Sequence, residues 1–119
     1  MGLEKFKAGL IELGYLVEEP RQGWVAFEYS IEKGRFGGQT IQLAFEVPQD
    51  FELSSPHGPH LKPLLFPVDE NSQEHSKRMH RSPLGSEWGH LSRPFPNWQN
   101  TKRTVKEYMR YVRHLFETL

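Results

Sequence analysis

A chain of 119 residues with no cysteine and a balance of 15 basic against 15 acidic residues has the size of one domain, spanning 1–119, with enough material for a core. Without thiols there can be no disulfide, no thiolate metal site and no cysteine nucleophile, a composition that suits the cytoplasm. No apolar run is long enough to span a bilayer and no charged-then-apolar leader is present, so no membrane partner is expected.

The zero net charge conceals an asymmetry. Residues 1–75 hold six Lys/Arg against twelve Asp/Glu, and residues 76–119 hold nine against three, which gives −6 and +6. Either the two halves attract each other on folding, or the second half turns a basic face toward an acidic partner. Lys102, Arg103, Lys106, Arg110 and Arg113 would make up that face. An isoelectric point near 7.0 argues against nucleic acid.

Taken in order, Leu3, Phe6, Leu10 and Leu13 recur at helical spacing and Gly14 stands where a C-cap glycine belongs, so residues 3–13 predict a helix. Residues 24–31 (WVAFEYSI) alternate, with Val25, Phe27, Tyr29 and Ile31 on the buried face. A glycine-rich reversal (EKGRFGG) leads to a second alternating strand over 40–47, with Ile41, Leu43, Phe45 and Val47 facing inward. Pro48 closes it. Residues 61–68 are apolar but broken by Pro63 and Pro67, which predicts at best a short edge strand, and residues 69–77 read as a polar surface loop.

Residues 79–98 (MHRSPLGSEWGHLSRPFPNW) are too irregular to predict a helix or a strand, yet carry two of the three tryptophans. Aromatics are scarce in disordered segments, so this stretch is expected to be a packed active or binding loop. Trp98 and Phe95 read as packing residues; Trp88, if partly exposed, suits an interface anchor. Thr104 is a plausible N-cap, with Glu107 three residues later in capping-box position. Val105, Tyr108, Met109, Val112, Leu115, Phe116 and Leu119 then share one helical face. The order of helix, antiparallel strands, long loop and helix makes an α+β domain.

This order and its landmarks resemble the ubiquitin-conjugating (E2, or UBC) fold, most of all its divergent bacterial branch. In that family a strand ends at a proline, followed by an aromatic and a proline-rich turn, as in Val47-Pro48-Gln49-Asp50-Phe51 and Ser54-Ser55-Pro56 here. A His-Pro-Asn tripeptide, the catalytic cysteine and a tryptophan follow. Laying Trp98 on that tryptophan puts His90 at the cysteine position and His80 on the motif histidine without a gap, with Arg81 and Ser82 on the proline and asparagine. The resemblance covers nearly the whole chain but lacks the nucleophile, the asparagine and the family's later helices. It implies a scaffold whose partners would be a ubiquitin-like protein or its activating enzyme, with no cofactor.

Three chemistries follow. One is acyl transfer through an oxyester, with Ser92 beside His90 or Ser82 beside His80 as nucleophile and base, and Arg93 or Arg81 near the oxyanion. Backbone bonding is the commoner fate of such serines. Another is metal binding by the six histidines, including His57 and His60 in HGPH, although no zinc spacing is evident and His75 and His114 read as surface residues. The preferred one is a non-catalytic docking domain, with Trp88, Arg93 and the basic helix face meeting the partner.

Overall fold

The structure is a computed structural model that describes residues 2–65, 67–68, 79–93 and 95–119. The expected loop over 69–77, with His75, lies outside these. Two helices, α1 (Gly2–Glu12) and α2 (Val105–Thr118), flank a five-stranded antiparallel sheet of β1 (Trp24–Ser30), β2 (Thr40–Glu46), β3 (His60–Lys62), β4 (His80–Ser82) and β5 (Gly85–His90). The strand order is β1-β2-β3-β5-β4.

The long alternating strands form as their periodicity predicts. β1 and β2 pair from Trp24↔Glu46 to Ser30↔Thr40, closed by the glycine-rich reversal. Gly34 there has φ +91, and a Cβ on it would press within 2.8 Å of the Glu117 carbonyl at the end of α2, so glycine lets the reversal lie against that helix.

α2 begins at Thr104, whose hydroxyl accepts the Glu107 amide at 3.1 Å, one half of the expected capping box. Its apolar face buries Val105, Tyr108, Met109, Val112, Leu115 and Phe116. Tyr108 meets Phe45 of β2 edge-on at 5.4 Å, and Phe116 lies 5.7 Å from Tyr29 of β1, so the helix crosses the sheet. Phe6 of α1 joins the same core against Phe45, Phe51 and Tyr108. Gly9 allows α1 to approach α2, since a Cβ there would overlap the Val105 side chain.

Three expectations need correction. The stretch over 79–98 is not wholly irregular: its first part is the β4–β5 hairpin, with His80↔His90 and Arg81↔Gly89 in register and a shift at Ser82. β3 is also no edge strand, for it pairs with β2 on one side and β5 on the other. Pro63 follows immediately and stops it after three residues, as a missing amide donor requires.

β1 differs from a half-buried strand as well. Trp24 and Ala26 are buried on the face away from the helices and form, with Ala44, a second small cluster under Leu84 and Trp88. The β4–β5 turn folds over this face, and the Arg21 guanidinium donates to the Pro83 carbonyl at 2.9 Å. Alanines at 26 and 44 leave the depth that Leu84 and Trp88 fill.

Candidate functional site

Register alone aligns five residues across the sheet. Ala26 pairs with Ala44, Ala44 with His60, His60 with His90 and His90 with His80. Because paired residues point to one face, three imidazoles stand in a transverse row opposite the helices. The ladder runs on past β3 and β5, with the Leu91 amide on the Pro59 carbonyl at 2.9 Å and the Arg93 amide on the His57 carbonyl at 2.8 Å. Gly58 makes this approach possible. Its φ is +115, and a Cβ there would collide with the Leu91 carbonyl.

At the centre of the row His60 and His90 stack face to face, centroids 3.8 Å apart and planes within 4°. Trp24 meets His60 edge-on at 4.6 Å. His60 is only 4% exposed, and its Nδ1 lies 2.8 Å from Ser82 Oγ. That oxygen also accepts the Leu84 amide at 3.2 Å, so the hydroxyl bridges the imidazole and the turn. The His90 ring is bonded to the His57 backbone carbonyl, while its Nε2 is buried without a partner among the described residues.

Burial governs the charge of both rings. It lowers His60 to about 3, with the His90 ring adding to the effect. It lowers His90 to about 4, with His80, His57 and Arg93 opposing charge there as well. Both imidazoles are therefore neutral at ordinary pH. A base this weak draws little proton from a serine hydroxyl, since general-base catalysis favours a pKa near the working pH.

The predicted serine–histidine pairs are arranged differently. Ser82 finds its imidazole on β3, across the sheet, rather than on His80 two residues back. Residues i and i+2 of a strand share a face but stand about 6.8 Å apart, beyond hydrogen-bond reach at their backbones. Ser92 lies just beyond β5 and is half-buried, its carbonyl accepting from Arg93 at 3.3 Å. The His90 ring, with one nitrogen on His57 and the other unpartnered, is not bonded to Ser92. Among the described residues no three His, Asp or Glu side chains are placed to hold a metal.

The proposed partner-facing residues fall in two regions. Trp88 is half-buried: it packs on the Trp24–Ala26–Ala44 cluster and lies under Lys62 Nζ at 5.5 Å, so much of its surface is committed to packing. Arg93 is half-buried beside Tyr111, and burial lowers its pKa. Trp98 and Phe95 pack as expected, 5.0 Å apart, and the Trp98 indole donates to the Glu52 carbonyl at 2.9 Å.

Lys102, Arg103, Lys106 and Arg110 line an open groove of about 780 Å³ between α1 and α2. Arg113, further along, pairs with Glu32 and Glu117, and Arg110 reaches Glu107 at 3.8 Å. Lys102 and Lys106 have no ion pair among the described residues, so the surplus charge of the second half is only partly spent inside the molecule. His114 is exposed. Among the described residues no helix is long and apolar enough to cross a membrane.

Sequence reasoning missed His60 as the partner of Ser82. The contact joins residues 22 apart, so no short spacing announces it; the one available signal was HGPH, two histidines in a turn. Compared with protein-family models, with curated proteins and with solved structures, the chain matches none.

Proposed function

We propose that this protein is an E2-like docking domain of a bacterial ubiquitin-like conjugation pathway, one that binds the ubiquitin-like protein, its activating enzyme or an active partner without forming a covalent intermediate. The reading rests on the resemblance and on one structural relationship that agrees with it. A helix, three consecutive antiparallel strands and a final helix crossing that sheet follow one another in the order the resemblance implies. The docking surface is the groove of Lys102, Arg103, Lys106 and Arg110, whose cations outnumber the Glu12, Glu52 and Glu107 carboxylates that also line it.

The oxyester alternative is the weaker one on physical grounds. The hydroxyl with an imidazole partner is Ser82, and that imidazole, His60, is buried with its pKa near 3. A serine so placed is held by the fold rather than activated.

The test is to incubate the protein with the activating enzyme and ubiquitin-like protein of the same organism and ATP, then compare size-exclusion profiles with denaturing gels. Co-elution without an adduct supports docking. A hydroxylamine-labile adduct lost in Ser82→Ala or Ser92→Ala supports the oxyester route, and the absence of any co-elution removes both.

A further inference from the structure

β1 ends the strand order, so one of its edges lies outside the ladder. Part of that edge is covered, since Ala26 exchanges both backbone bonds with Glu18, each at 2.8 Å. In an antiparallel ladder alternate residues turn their amide and carbonyl to the same edge, so Glu28 and Ser30 point theirs outward with Ala26. Continued pairing would set Leu16 opposite Glu28, but the bridge stops at Glu18 and Leu16 is 89% exposed. Among the described residues the outward backbone groups of Glu28 and Ser30 have no bond. An open edge of this kind is a template for another extended chain.

The edge opens onto a cleft of about 510 Å³ on the helix side. Leu13, Tyr15 and Met109 give the cleft an apolar floor. Lys106, Arg110 and Arg113, spaced four and three residues apart on one side of α2, give it a cationic wall. Two carboxylates also line it. Glu32 is paired with Arg113 at 3.6 Å, and Glu28 shares the sheet face of Ala26, turned away from the helices. Free backbone groups, an apolar floor and a surplus of positive charge thus meet at one place.

We propose that this edge takes up an extended acidic segment of a partner protein by strand addition. The segment pairs with Glu28 and Ser30, lays an apolar side chain on Leu13, Tyr15 and Met109, and sets a carboxylate against Lys106 and Arg110. Its residue opposite Tyr29 faces the helix side, as Tyr29 does, so the apolar and acidic residues stand two apart with outward-facing residues between. A second copy of the chain does not suit the edge. Two β1 strands joined antiparallel keep both helix layers on one face and set two cationic α2 walls side by side. The proposal goes beyond the docking reading and does not rest on it, although Lys106 and Arg110 line both clefts.

The experiment titrates the full chain with a blocked Thr-Val-Thr-Glu-Thr peptide and with its Thr-Val-Thr-Lys-Thr counterpart, followed by amide NMR. The glutamate peptide should move the Glu28 and Ser30 amides and slow their hydrogen exchange. The lysine peptide should bind about fivefold more weakly. Ser30→Pro removes one outward amide without touching the β1–β2 ladder and should weaken binding about fivefold. Lys106→Glu, at an exposed site, should weaken it as much and decides the matter should the proline disturb the fold. Unmoved Glu28 and Ser30 amides, equal binding of the two peptides, or undiminished binding in both variants would each overturn the site. So would sedimentation of the free chain as a dimer that Ser30→Pro makes monomeric, since a second copy would then hold the edge.

Discussion

His60 and His90 face each other on neighbouring strands as a parallel stack, 3.8 Å between centroids and 4° between planes. Two imidazoles packed this closely in a buried place cannot both carry charge without strong repulsion. The surroundings keep them neutral, and this sets how the fold responds to acid.

Acid should therefore weaken the protein well above the pH at which carboxylates titrate. In the unfolded chain each histidine takes up its proton near 6.5, whereas in the folded protein His60 does so at about 3 and His90 at about 4. The unfolded state thus binds more protons below pH 6.5, and the neutral-pH stability is lost progressively from there down through 4 and 3. By pH 5 each histidine should have removed about 2 kcal/mol. Urea unfolding at pH 7.5 and pH 5 measures this; equal midpoints at the two values would contradict it.

Ser82→Ala removes the hydroxyl that joins His60 Nδ1 and the Leu84 amide. It should cost about 1–3 kcal/mol, because the buried imidazole and the half-buried Leu84 amide lose their bonds. Ser92→Ala should stay within about 0.5 kcal/mol. In the wild type, nitrogen NMR should find His60 as the Nε2–H tautomer, with Nδ1 accepting from the serine. A Ser92 variant less stable than the Ser82 variant would reverse the assignment of roles.

Gly58→Ala tests the ladder that carries the row of histidines. Alanine is strained at φ +115 and its methyl collides with the Leu91 carbonyl, so residues 57–59 must part from 91–93. A loss above about 2 kcal/mol is expected, with weakened amide protection at Leu91 and Arg93 in hydrogen exchange. Protection unchanged from wild type would show that the loop needs no glycine there.

Thr104→Ala should cost about 1 kcal/mol by exposing the Glu107 amide. Its effect should be confined to α2, so the His60 and His90 ring signals should not move. Thermal melts and those ring spectra together check the expectation.

What the sequence revealed and what it concealed follow from the range of the interactions. α1, β1, β2 and α2 are legible because Phe6, Phe27, Phe45 and Tyr108 repeat with the period of their own element. Thr104 is legible because a cap bonds three residues away. β3 is legible only as a short strand, since Pro63 keeps it to three residues, and its central place is not; β5 is obscured by Gly85 and Gly89, which weaken the strand signal. Gly89 is there for packing: a Cβ would strike Leu64 and Met79 at 2.5 Å. The Ser82–His60 bond is a tertiary contact without local trace, and the serine–histidine pairs read from i, i+2 spacing could not anticipate it. The resemblance pointed to His80 and His90 but not to the imidazole beside them.

The docking claim itself is most directly tested by native and denaturing mass spectrometry of one sample, the protein mixed with activating enzyme, ubiquitin-like protein and ATP. The account predicts a complex under native conditions that releases this chain at its unmodified mass once denatured. A chain that keeps the ubiquitin-like protein attached after denaturation would contradict it.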